Sequence, residues 1–542
     1  MLFCRVRTGF DEVTPLPFLR SPPFPGIAPR VAAVSILRDK PGEPDEVPDS
    51  VIDQIAAARV GGAFWARQRE GVRLVARAGC RFPREGLKRD EIVILPARPS
   101  GKQYDPWALV AQARSVHAAA DDELAIIAGM LGVAVHGPDG EVIAPERLRL
   151  AAKRAVAAAS YRDCFSGQVV GVEQAVAQLA EWGRHLQGNR HITAASGMAF
   201  WKREAIRRFL WDGVRSPPFL SPRAGVRRAR REGGALAVWP SRVPSSLQAD
   251  APDIAVARVE DGFLRSKGLG AALTPPGSVV IDRSGIYYDA GGPSDLETLL
   301  ATHAFSPALV ERAGRLRATI RATGVTKYGQ DGGQMPSLPS AKRTVLVVGQ
   351  VEDDLSVQLG GAGVEGNLGL LKRARRAEPD AHIIYRPHPD VQAGLRRGHL
   401  SDAVVHEHAD ALDCGAPLMT LVQAVDEVHV LSSLTGFEAL LRDRPVTVHG
   451  MPFYAGWGLT RDLAEPNPRR GRKLTIDQLV AAALILYPRY LDPVTGLPCG
   501  PEIMVERLGS GSTSSISWLI RMRTLQGKIR RFMTLSAEHL HG

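Results

Sequence analysis

The sequence predicts an α/β protein built on parallel, doubly wound sheets. Three observations carry this. Between 191 and 508, short Val- and Ile-rich runs alternate with amphipathic stretches, the order that lays helices on both faces of a parallel sheet. Two such blocks, 191–330 and 340–508, flank "TKYGQDGGQMPSLPSAKR" (326–343), whose Gly, Pro and Ser content reads as a linker. The chain's 542 residues are too many for one core, and 44% hydrophobic with 23% charged residues is a globular balance.

In the first block, "ALAVW" (235–239), "DIAVARVEDGF" (253–263) and "SVVIDRSGIYYDA" (278–290) supply strands. In the second, "TVLVVGQ" (344–350) is a strand, followed by a polar glycine-rich loop (352–367) and the helix "LGLLKRARR" (368–376). "AHIIYRPHPD" (381–390) is the next strand with its exit loop. "EVHVLSS" (427–433), "TGFEALLRD" (435–443) and "RPVTVHG" (444–450) then repeat strand, helix and strand. Two Rossmann-type lobes with a cleft between them make a GT-B-like outline, which many two-domain enzymes share. Residues 1–190 are less legible. "SYRDCFSG" and "RYLDPVTG" share Tyr161, Asp163, Ser166 and Gly167 against Tyr490, Asp492, Thr495 and Gly496, each after an alanine-rich stretch. This echo is a chance turn motif or, the preferred reading, the mark of a degenerate N-terminal module with a structural role.

Net charge of +11 favours polyanions, either acidic lipid surfaces or anionic sugars. No nucleic-acid motif is present, so nucleic acid is not an expected partner. Five scattered cysteines without a CxxC pair exclude a disulfide frame and a zinc site of that type and fit a reducing compartment, the cytoplasm. "MLFCRVRTGFDE" has no apolar core of a signal peptide, and no run is long enough for a membrane helix. Residues 509–542 form a basic tail in which "SWLIRMRTLQGKIRRFM" (517–533) mixes aromatic and aliphatic residues with arginine and lysine. That mixture suits an interfacial helix, or a helix packed on the second lobe.

Chemistry gathers at strand ends, where ligands of such sheets sit. Glu260 and Asp261 are adjacent carboxylates, able to supply a nucleophile or base, with Arg265, Ser266 and Lys267 close behind as substrate contacts. The plainer alternative is a solvated loop with one helix-capping aspartate. Ser432, Ser433 and Thr435 stand where a helix begins, a place suited to phosphate. Gly436 would let backbone approach a ligand, and Glu438, placed in the first turn, would accept from ribose hydroxyls; an ordinary serine N-cap is the alternative. Arg386 and His388 in "YRPHPD" become phosphate or carboxylate ligands if their loop shares the crevice with "VHVLSS". Gln350 ends its strand as a further substrate contact. "MPFYAGWGLTRD" (451–462) walls the cleft or turns tightly over the core, and "EDD" (352–354) reads as a loop rather than a metal motif.

In this order, "VEDGFLRSKGLG", "VVIDRSGIYYDA", "GQVEDD", "YRPHPDV", "SSLTGFEALL" and "PFYAGWGLT" closely resemble the capsular polysaccharide β-Kdo transferases of the Kps type, over about 195–508. The resemblance implies a GT-B fold, CMP-Kdo as donor substrate, no cofactor and no metal. It also implies a Kdo-primed, lipid-linked acceptor at the inner membrane, where the protein would be peripheral beside other capsule assembly proteins. Transfer would retain the β configuration through a sugar adduct on an aspartate. On matching positions, Asp261 is then the nucleophile with Glu260 beside it, and Arg386, His388, Ser432, Ser433, Thr435 and Glu438 hold CMP. Larger members carry two complete modules; this chain keeps the motifs of one. A non-catalytic capsule assembly or export component with the same fold is the alternative, and a nucleotide-sugar epimerase a more distant one.

Overall fold

The computed structural model describes residues 16–97, 103–264, 275–326, 335–336, 338–413 and 415–510. The chain forms two compact units, Met1–Arg190 with Trp211–Ser216, and His191–Leu210 with Pro217–Gly542.

The first unit carries β1 (Ser35–Leu37), β2 (Leu74–Arg77), β3 (Ile92–Leu95), β4 (Ser115–His117), β5 (Ala134–His136), β6 (Ala159–Arg162) and β7 (Val169–Val170). Strands β3-β2-β4-β5 form a parallel sheet, and β1-β6-β7 an antiparallel one.

The second unit holds two six-stranded sheets. The first uses β8 (Ile192–Ser196), β9 (Ala235–Val238), β10 (Ala255–Asp261) and β11 (Ser278–Asp282). The second uses β12 (Thr344–Val348), β13 (His382–Arg386), β14 (Ala411–Leu412), β15 (Glu427–Val430), β16 (Val446–Val448) and β17 (Arg461–Asp462). Its order, β14-β13-β12-β15-β16-β17, is parallel throughout and reverses direction of travel between β12 and β15. That switch point leaves a crevice beyond the strands' carboxyl ends. Buried apolar side chains pack the sheet against its helices, Val345, Val347, Ile383 and Tyr385 meeting Leu370, Leu371 and Ala374.

The first sheet differs from the parallel arrangement expected. Only β8, β9 and β10 run parallel; β11 runs antiparallel to β10. A fully buried apolar run such as "SVVID" reads the same in either direction, so its pattern cannot reveal this. The stretch expected to be one second lobe, 340–508, also divides. After Tyr487 the chain returns, and β18 (Pro488–Leu491) and β19 (Pro498–Cys499) extend the first sheet beyond β11. Half of the expected linker (326–343) and all but the first two residues of the tail (509–542) lie outside the described residues.

The sequence echo corresponds to one repeated hairpin. Asp163 accepts from the amide of Phe165 and the Ser166 hydroxyl, and Asp492 from the amides of Val494 and Thr495 and the Thr495 hydroxyl. Gly167 and Gly496 follow at φ 75° and 74°, values that suit glycine. The likeness goes further: β3-β2-β4-β5 repeats the order of β13-β12-β15-β16, and β1-β6-β7 repeats β11-β18-β19.

An aromatic cluster joins the two sheets of the second unit. Phe263, just past β10, stacks on Phe453 at 4.6 Å between ring centroids and lies 6.0 Å from Phe437. Tyr287 meets both Phe263 and Phe453 edge-on, at 4.8 and 5.8 Å. The first part of 451–462 is thus a buried seam, with Phe453, Tyr454 and Trp457 all buried, while Gly458, Arg461 and Asp462 are exposed. Phe453→Ala should cost about 3–5 kcal/mol, and Phe453→Leu markedly less. Calorimetric unfolding checks this; equal midpoints for wild type and Phe453→Ala would show that the ring bears none of the seam's stability.

Candidate active site

Three parallel strands of the first sheet end side by side. β8 ends in Ser196, β9 is followed by Trp239, whose amide donates to the Ser196 carbonyl, and β10 ends in Glu260 and Asp261. Into this edge reaches Lys202, the last residue of a 3-10 turn, Phe200–Lys202. Its ammonium donates to both carboxylate oxygens of Asp261, at 3.0 and 3.1 Å, and sits 3.5 Å from the Trp239 ring centroid. A lysine that is 7% exposed is stable only when paired, and both the carboxylate and the indole face supply that pairing.

Strand alternation gives the two acids different neighbours. Asp261 turns to Lys202. Glu260 accepts from the Asp261 amide at 3.1 Å and lies in the field of Asp354 from the second sheet. Desolvation, then the Asp261 charge, push the Glu260 carboxyl up to about 7 against the opposing pull of Lys202. Burial, with the Glu260 charge adding to it, also holds the hydroxyls of Tyr287 and Tyr288 above the usual phenol range. The Tyr288 hydroxyl is buried without a hydrogen-bond partner.

The second half of the site is the crevice between β12 and β15. The Gln350 side chain spans it, accepting from the Ser432 amide at 2.8 Å and donating to the Ser432 hydroxyl at 3.2 Å. Ser433 is the N-cap of the helix Leu434–Leu441, and its hydroxyl accepts from the Thr435 amide and donates to the Thr435 hydroxyl. His388 caps the short helix after β13, where its Nδ1 accepts from the Asp390 amide at 3.1 Å. That bond places the neutral ring's proton on Nε2, the form that donates to an anion. The halves meet at Gly360, where a Cβ would stand 3.2 Å from the Tyr288 carbonyl oxygen and 3.4 Å from Ser432 Cβ.

Several expected placements change. Because Ser433 is the cap, Glu438 is the helix's fifth residue, just past the first turn where it was expected; it is 6% exposed, accepts from the Thr326 hydroxyl at 2.6 Å and lies 3.8 Å from Arg442. Gly436 serves packing, since a Cβ there would meet the Tyr454 hydroxyl at 2.3 Å. Arg386 is buried and donates to Asp413 and to the Ala416 carbonyl, tying β13 to the turn after β14. In the "EDD" loop, Asp354 caps a helix, Asp353 pairs with Arg396 and Glu352 accepts from the Asn367 amide. Arg265, Ser266 and Lys267 lie outside the described residues. Lys202 was not singled out from the sequence; the available signal was a lysine after two aromatics, "AFWKRE", just past the strand "ITAAS".

Among the described residues, the one carboxylate–histidine grouping with metal-like spacing is Glu378, Glu427 and His429. Glu427 and His429 are on β15, before the strand's carboxyl end, and Arg343 and Arg461 already pair with the two acids.

The first unit repeats the sheet order of the second, with an acid in place of a neutral cap at its helix start. Where the second unit has Ser433, the helix Glu123–Leu131 is capped by Asp122, held by Arg77 through bonds of 2.8 and 3.1 Å. A carboxylate at that N-terminus occupies the place an anion would take.

The fold and site define a GT-B-like α/β protein with an acid-bearing first sheet facing a phosphate-type helix start. Comparison with known proteins agrees. The model of the family "Capsule polysaccharide biosynthesis protein" matches residues 235–328 and 315–490. Capsule polysaccharide modification protein LipA of Neisseria meningitidis is 40% identical over 301 residues, 55% of this chain and 43% of LipA. Lipopolysaccharide-processing protein LpsZ of Rhizobium meliloti is 48% identical over 237 residues, 43% of this chain and 54% of LpsZ. The chain thus spans about half the length of these relatives. Among solved structures, the β-Kdo 2,7 transferase of Thermosulfurimonas dismutans KpsC matches at 35% identity and TM-score 0.50, over 59% of this chain and all of that one. The β-Kdo 2,4 transferase of the same KpsC matches at 31% and 0.51, over 59% and 99%. The chain belongs to the KpsC-like family of capsule Kdo transferases.

Glu260 gives stability a pH dependence. Its folded pKa of about 7 lies above the ordinary 4.5, so between these values the folded protein keeps a proton that the unfolded chain has lost. Stability should fall as pH rises through that window, and Glu260→Gln should remove the fall. Denaturant melts across the window check it; parallel curves for the two proteins would place Glu260 in a different environment.

Proposed function

We propose that the second unit is a retaining β-Kdo transferase that uses CMP-Kdo and a Kdo-primed, lipid-linked acceptor in capsule linker synthesis. One observation carries the reading: Asp261, held by Lys202, lies on the first sheet's edge of a crevice whose other edge is a helix start of phosphate-binding type. The KpsC transferases it resembles supply the sugar.

In this reading the donor phosphate rests at the amino end of the helix Leu434–Leu441, with Ser432, Ser433, Thr435 and the His388 Nε2–H as donors. An Asp261 oxygen attacks the anomeric carbon as its bond to the phosphate oxygen breaks, and CMP leaves with the electron pair. The acceptor hydroxyl then attacks the same carbon, releasing the Asp261 carboxylate. Two inversions give net retention. Lys202 fixes the orientation of Asp261 and balances its charge while the crevice excludes water. Glu260, titrating near neutrality, is matched to taking the acceptor's proton in the second step. The first unit, with its acidic helix start, is a structural module in this reading. No described helix is long and apolar enough to cross a membrane, and the protein would reach its acceptor as a peripheral protein at the inner membrane.

Asp261→Asn should abolish transfer and leave CMP binding unchanged by calorimetry. Mass spectrometry of the wild-type protein given donor alone should find one Kdo on the peptide containing 259–264. Transfer at the wild-type rate by Asp261→Asn would move the nucleophile elsewhere. His388→Ala and Ser433→Ala should each weaken CMP binding by roughly tenfold, the typical loss for one charge-assisted hydrogen bond. Wild-type CMP affinity in both would place the donor outside the β12–β15 crevice.

A further inference from the structure

The turn that delivers Lys202 has a second face. Phe200 is 66% exposed, and its ring stands edge-on to that of Trp201 at 5.5 Å. Exposed aromatics of this size are uncommon on a surface that contacts only water. One arginine lies at the pair and two more follow on the next helix. The Arg242 guanidinium lies 5.5 Å from the Trp201 ring centroid, and those of Arg203 and Arg207 lie 5.5 and 5.7 Å from that of Phe219. All three arginines are exposed, and the Arg207 contact to Glu204, at 3.2 Å, is between two exposed side chains.

Aromatic rings flanked by guanidinium groups are matched to the boundary zone of an anionic bilayer, where rings sit among the headgroups and cations meet phosphates. We propose that this face, formed by the turn with Phe200 and Trp201, Arg242 beside it, and Arg203 and Arg207 over Phe219, seats the protein on an anionic lipid surface. The same turn holds Phe200 outward and Lys202 inward against Asp261. Contact at Phe200 therefore sets the carboxylate edge two residues from the membrane surface. The purpose of this contact rests on the lipid-linked acceptor of the transferase reading, but the binding itself needs neither donor nor acceptor.

The test is co-sedimentation of the full chain with phosphatidylcholine vesicles, with and without phosphatidylglycerol. Binding should require phosphatidylglycerol and fall with added salt. Arg203→Glu with Arg207→Glu should weaken it by roughly tenfold or more, Arg242→Glu and Phe200→Ser each by several-fold. Two of these variants change different segments, so misfolding of one does not decide the outcome. Absence of vesicle binding in the wild type, or wild-type binding in all the variants, overturns the proposal; the second result would assign the membrane contact to another basic region, and the first together with capture of a protein partner would assign the face to that partner. CMP titration of the same samples separates the two readings. A protein that binds vesicles through this face and shows no affinity for CMP sinks the transferase reading and leaves the surface standing.

Discussion

The stacking of Phe263 on Phe453 is the contact on which the rest of the site depends. Phe263 follows Asp261 by two residues, so its ring fixes where β10 delivers its carboxylates. Phe453 belongs to the loop after β16, and Phe437 lies in the very helix whose N-terminus Ser433 caps. One buried cluster therefore positions the acid edge and the phosphate-type helix start against each other. Offset and edge-to-face ring pairs add roughly 0.5–1.5 kcal/mol each beyond the area they bury, and several share this seam. Such a seam resists sliding, because each ring is wedged among others, and sliding would open voids that a packed core does not tolerate.

Much of the second sheet was legible because its strands are short apolar runs separated by turn residues. Polar clusters after "HIIY" and "VHVL" pointed correctly to strand ends. Direction and pairing were not legible. Nothing in "SVVID" says that it runs against its neighbour β10, and nothing in "PRYL" says that it crosses back to the first sheet; the second fact is decided by contacts more than 200 residues apart, such as the bond from the Tyr487 hydroxyl to Asp282. Of the site, the acids and the helix cap could be read as candidates. Lys202 could not, because a single lysine becomes informative only when the fold sets it on Trp239 and Asp261. Glu438 falls just past the first turn because the helix starts at Leu434, one residue before the expected Thr435.

The two units show how one topology is turned to different ends by a few charges. His117 and His136 stack from β4 and β5 at 4.8 Å between centroids, and His429 of β15 meets His449, just past β16, at 5.2 Å with the rings tilted by 50°. "SVH…VAVHG" and "EVH…VTVHG" are the corresponding sequence trace, easily missed because the strands are so short. What separates the units is the helix start. In the first, Asp122 and Glu123 satisfy the terminal amides and meet Arg77 and Arg20. In the second, the neutral cap Ser433 leaves the dipole's positive end uncompensated by any acid in the first turn. The same architecture is thus internally neutralised in one unit and prepared for an anion in the other.

Two adjacent carboxylates cannot share one chemical task without their environments pulling them apart. Here the asymmetry comes from a single cation. Lys202 donates to both oxygens of Asp261, while Glu260 accepts from the Asp261 amide. The Trp239 face lowers the cost of holding that ammonium in a buried position beside Asp261. Glu260, desolvated and left beside a negative neighbour, keeps its proton up to about pH 7. The two acids thus stand side by side in unlike settings: Asp261 accepts from a buried lysine, while Glu260 is desolvated with its carboxyl pushed up to about 7.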